Sequence, residues 1–135
     1  MSVGLNLVTA RVRDAQQRLD LARRHRDRLI VEAASEGADL QVIADLIGYS
    51  RERIRQIVWG HASAKAHSRQ VTLRDNDLRL AASEVGRYRA HLQSALTERA
   101  WAFVQASRNG LRQEDIAAQA GVHQTSVSRI LRGAR

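Results

Sequence analysis

From Val8 onward, apolar side chains recur at alternating steps of four and three: Val8, Val12, Ala15, Leu19, Ala22, Leu29 and Ala33, with Arg26 as the one break in the stripe. That period belongs to an amphipathic α-helix. It predicts a long first helix over about 8–36, capped at its start by Asn6 or Thr9 and stopped by Gly37. A second stripe, Leu78, Val85, Leu92, Ala95, Ala102 and Ala106, predicts another long helix that Gly110 stops. An apolar stripe of this length needs a partner, and the two long helices can bury each other within one chain. Self-association through the same stripes is the alternative, so the expected state is a monomer or a weak homodimer.

After each glycine stop the pattern shortens. Asp39 suits the N-cap of a short helix with Val42, Ile43, Leu46 and Ile47 on one face. Gly48 then supplies the positive φ of a tight turn, and Ser50 caps a second short helix whose inward positions are Ile54, Ile57 and Val58. Further on, Ile116 and Ala117, Gly121, and Val127, Ile130 and Leu131 repeat this grammar. Sliding the chain by 73 residues places 5–62 on 78–135 without a gap and pairs Leu5 with Leu78, Arg26 with Arg99, Gly37 with Gly110, Ile43 with Ile116, Ala44 with Ala117, and Gly48 with Gly121. Packing and turn residues are what match, so a fold unit has been duplicated. The expected organisation is all-α: residues 1–62 form a long helix plus a first helix-turn-helix, 63–75 a linker, and 76–135 a long helix plus a second helix-turn-helix.

Composition narrows the function. In 135 residues there is no proline or cysteine and only five aromatic side chains (2 Trp, 2 Tyr, 1 Phe), which favours helices over strands and excludes disulfides and thiolate metal sites. No apolar run approaches the length of a membrane span, so no membrane partner is expected. The net charge is +8, and every one of the 22 Lys and Arg except Lys65 is arginine, the side chain that grips phosphates and guanine edges bidentately. A polyanion is the natural partner, although a high-GC genome yields the same bias. The five histidines form no metal-ligand spacing, and no nucleophile with a partnered base, phosphate loop or paired acid is present. Neither an enzyme nor a cofactor is expected.

The string SRERIRQI at 50–57 closely resembles the recognition helix of primary bacterial sigma factors, in the region that reads the upstream promoter element, with Ser50 in place of the capping threonine. GVHQTSVSRILRG at 121–133 resembles the helix-turn-helix of lactose-repressor-like and phage-repressor-like proteins, but has His123 at the usual serine cap and Arg112 where a Ser or Thr caps the preceding helix. Each likeness covers only about 20 residues, and the rest of a sigma factor or of a ligand-binding repressor is missing.

With Ile54, Ile57 and Val58 turned inward, the outward face of the first recognition helix is Arg51, Glu52, Arg55 and Gln56. These types suit guanine, cytosine and adenine edges, and the sigma resemblance implies base or backbone contacts at the same four positions. The equivalent face of the second helix is Gln124, Thr125, Ser128 and Arg129. Ser50 and Arg53, His123 and Ser126, and the linker cations Lys65 and Arg69, which can follow a phosphate backbone, complete the candidate interface. Arg23 to Arg28 reads as a charged outer helix face, with phosphate contact as the alternative, and Trp59 and Trp101 as residues that pack in the core or cover the junction between units.

The expectation is a cytoplasmic, nucleoid-associated regulator that binds double-stranded DNA at an asymmetric site of two unlike half-sites about one helical turn apart. Repression by promoter occupancy is the expected sign, and phage or mobile-element origin fits the composition. The rival expectation is a helix-turn-helix scaffold that binds RNA polymerase, a sigma factor or another host protein.

Overall fold

The computed structural model describes residues 4–60 and 75–134, and all regular structure among them is helical. The elements are α1 (Leu5–Ser35), α2 (Leu40–Ile47), α3 (Arg51–Gly60), α4 (Asp75–Arg108), α5 (Gln113–Ala120) and α6 (Gln124–Gly133). Apart from Asp75, the expected linker at 63–75 lies outside the described residues, as do Lys65 and Arg69.

The glycines act where a left-handed residue is needed. Gly37 and Gly110 follow α1 and α4 at φ 92° and 97°. Behind them, the Ala38 and Leu111 N–H groups donate to the Ala33 and Ala106 carbonyls at 3.0 and 3.1 Å, which closes both long helices in the Schellman manner. The start of α1 differs from the capping expectation. Asn6 and Thr9 both lie inside the helix, and the buried Thr9 hydroxyl donates to the Leu5 carbonyl at 3.0 Å. The Gly4 carbonyl accepts from the first turn in place of a side-chain cap.

The chain divides into two compact units, one of Leu19–Tyr88 and one of Met1–Arg18 with Arg89–Arg135. Each short helix pair therefore packs with segments of both long helices. In the α2–α3 unit, Ile30 and Ala33 of α1 and Leu78 of α4 close over Ile43, Ala44, Ile54 and Val58. In the α5–α6 unit, Leu5 and Val8 of α1 and Ala102 and Phe103 of α4 close over Ile116, Ala117, Ala120 and Val127. Phe103 is fully buried; it stands one position beyond the Ala102 stripe and 73 residues after Ile30, which is fully buried in the other core.

Two expectations about the core are corrected. Val42 is 49% exposed, because Val42, Ile43, Leu46 and Ile47 span more of a short helix than one partner can cover. Trp59 and Trp101 are 71% and 60% exposed, so neither is a core residue. Among the described residues, no helix is long and apolar enough to cross a membrane.

Candidate nucleic-acid interface

A sharp turn holds α2 and α3 together. The Asp39 carboxylate accepts from the Gln41 N–H at 2.7 Å at the start of α2. Gly48 at φ 85° ends that helix, with its own N–H and that of Tyr49 on the Ala44 carbonyl at 2.8 and 3.0 Å. The Ser50 hydroxyl then accepts from the Arg53 N–H at 3.2 Å and starts α3. Ala44 is fully buried in this angle, where a larger side chain would push the helices apart.

With Ile54 and Val58 buried and Ile57 partly so, Arg51, Glu52, Arg53, Arg55 and Gln56 are all exposed on α3. Their placement is not uniform. Arg55 Nη2 is 3.4 Å from Glu52 Oε1, and its guanidinium lies 5.2 Å from the centroid of the Trp59 ring. Arg53 instead lies over the Tyr49 ring at 4.5 Å. Three guanidinium groups against one carboxylate leave this face cationic.

The second pair has the same turn and weaker caps. Gly121, at φ 73°, ends α5 and puts its N–H on the Ala117 carbonyl at 2.9 Å. Neither Arg112, at the N-cap of α5, nor His123, at that of α6, makes a side-chain capping bond, in keeping with their departure from Ser or Thr. Gln124, Thr125 and Arg129 are exposed, while Ser126 and Ser128 are half-buried. The Ser128 hydroxyl is already engaged by Arg132 Nη2 at 3.3 Å. The face is less charged than that of α3.

Sequence reasoning missed four residues here: Tyr49, Trp59, Arg26 and Arg99. Trp59 was legible, since it stands four residues after Arg55 and shares its outward face. Arg26 also carried a signal, being an arginine inside an apolar stripe. It is 5% exposed, so it leaves the charged outer face on which Arg24, His25 and Arg28 lie. Arg99, its counterpart 73 residues on, is half-buried with its Nε shielded and unpartnered among the described residues. Burial pushes that guanidinium below its ordinary pKa.

Among the described residues, no group of three or more His, Cys, Asp or Glu is placed to hold a metal ion. What the arrangement offers is two exposed polar helix faces, each stabilised by a glycine turn and a small apolar core. No protein-family model, no curated protein and no solved structure matches the chain.

Proposed function

We propose that the chain is a sequence-specific double-stranded DNA-binding regulator of transcription, built of two repeated units, each a long helix followed by a helix-turn-helix. α3 and α6 are its recognition helices. The observation that carries this reading is the outward face of α3: Arg51, Glu52, Arg55 and Gln56 are exposed on a helix whose opposite side, Ile54 and Val58, is buried. The major groove admits a helix with such side chains along one edge and offers each of them a matching donor or acceptor. Support for the repeat is that positions 73 apart share burial: Leu5 with Leu78, Ile30 with Phe103, Ile43 with Ile116, and Ile54 with Val127.

The two faces differ, so the site is asymmetric and bipartite. Linking two readers makes the second engagement intramolecular, and two weak contacts then bind tightly. The regulator acts as a repressor by occupying its site, in the cytoplasm and on the nucleoid, without catalysis or a cofactor. Selection of bound duplexes from a random library tests this. Two unlike enriched blocks support the bipartite reader, one block removes α6 or α3 from the reading role, and no enrichment sinks the proposal. Affinity falls steeply with salt if phosphates are neutralised.

A second reading has the same scaffold bind RNA polymerase, a sigma factor or another host protein. Trp59 favours it, because a large aromatic open to solvent is a common anchor of protein interfaces. Capture of purified polymerase at high salt, without nucleic acid, selects this reading over the first.

A further inference from the structure

A guanidinium inside an apolar stripe is costly unless its charge and its donors are met. At Arg26 both are. Its Nε and Nη2 each lie 3.0 Å from Asp27 Oδ1, and its Nη1 donates to the Tyr49 hydroxyl. The Arg26 guanidinium is 4.9 Å from the centroid of the Tyr49 ring, and that of Arg53 is 4.5 Å from the same point. One ring thus serves two cations: its π density faces both, and Asp27 supplies the negative charge.

The chain of contacts runs from α1, through the turn residue Tyr49, to the first turn of α3. It ends on a side chain that is exposed and, among the described residues, has no ion pair. An arginine on a bare helix surface loses rotamer freedom when a ligand fixes it. One already stacked loses less, and its charge is presented in one place. At the matching positions of the other unit, Asp27 is replaced by Ala100, Tyr49 by Val122 and Arg53 by Ser126, so only Arg99 is retained, with its Nε orphaned.

We propose that Tyr49 is a positioning residue that holds the Arg53 guanidinium as a fixed, sequence-independent contact to a DNA backbone phosphate beside the α3 reading face. This rests on the DNA-binding reading. The α5–α6 unit lacks this stacked pair, since Val122 and Ser126 stand in place of Tyr49 and Arg53.

The test measures binding of the full chain to its selected duplex and to a scrambled duplex by fluorescence anisotropy, between about 50 and 200 mM salt. Arg53→Ala weakens both duplexes by the same factor, about fivefold to tenfold, and lowers the steepness of the log–log salt dependence by about one. Tyr49→Leu reproduces much of that loss, Tyr49→Phe keeps the ring and most of the affinity, and Tyr49→Leu adds nothing once Arg53 is alanine. Arg53→Lys keeps the charge but not the planar stack, and it also loses affinity. This exposed substitution keeps the test decisive if Tyr49→Leu fails to fold by circular dichroism. Additive losses, a loss confined to the selected duplex, or wild-type affinity in Arg53→Lys overturns the positioning role. A wild-type chain that binds neither duplex overturns the DNA-binding reading itself, and that is read before any variant is made.

Discussion

Gly48 and Gly86 offer the same chemical change with opposite expected signs. Beyond the adjoining residues and, for Gly86, its own helix backbone, a Cβ at either position meets no heavy atom within 4 Å, so crowding drops out and only the backbone decides. Gly86 lies inside α4, where alanine restricts the unfolded chain and propagates the helix better, a gain of about 0.9 kcal/mol. Gly48 sits at φ 85°, where an L side chain costs about 1–2 kcal/mol, partly offset by roughly 0.4–1 kcal/mol from the stiffer unfolded chain. Gly48→Ala therefore loses about 1 kcal/mol. With about 2.1 cal/mol/K per residue of unfolding entropy over all 135 residues, each kcal/mol shifts the melting temperature by about 3.5 °C. Both glycines belong to the Leu19–Tyr88 unit, so if that unit melts by itself both shifts roughly double and keep their signs. Thermal melts followed by circular dichroism, with urea titration as a second axis, provide the assay. A drop in stability for Gly86→Ala, or shifts of the same sign for both, refutes the argument, because either α4 is not helical at Gly86 or the turn at Gly48 is not left-handed.

Other perturbations separate roles that look alike. Arg26→Ala leaves Asp27 and the Tyr49 hydroxyl without their partner and costs about 3 kcal/mol in urea titration, whereas Arg99→Met removes an orphaned donor and changes stability by less than about 1 kcal/mol. Asp39→Ala removes a cap that is made and costs about 1 kcal/mol, while Arg112→Asp supplies one that is missing and gains a similar amount by the same titration. In quantitative binding, Arg55→Ala loses about 1–3 kcal/mol of affinity and relaxes preference at one or two base pairs, and Gln124→Ala relaxes the other block. Equal weakening on every sequence would remove both from base reading.

The turns, the cap of α2 and most inward positions were legible because each is a local demand, while Asn6 and Thr9 as caps and Val42 as an inward residue were misread. Gly48 and Gly121 answer a required φ, Asp39 an unpaired N–H, and Ile54 and Val127 a period. The outward face of α3 followed from the same period by subtraction. Arg26 was visible only as an irregularity: the stripe marked its place, but its partner Tyr49 is 23 residues away, and nothing in the spacing names it. The tryptophans were misplaced because size and hydrophobicity argue for burial, whereas their sites on α3 and α4 face outward. Least legible was which half of which long helix completes each core, since α1 and α4 carry similar stripes and either can cover either helix pair.

That division of labour has a consequence for how the chain is made. The core beneath α5 and α6 needs Leu5 and Val8 and also Phe103, synthesised almost a hundred residues after them. At about 5–20 residues per second the early half waits roughly 5–20 s with its apolar side chains uncovered. The α2–α3 core also waits for Leu78, so a nascent chain paused after Gly60 holds neither finished core. During that interval the apolar stripe of α1 is open to any chaperone that takes extended or helical apolar segments, and to proteases. Both cores close only once α4 has emerged, which makes its synthesis the step that ends the exposure.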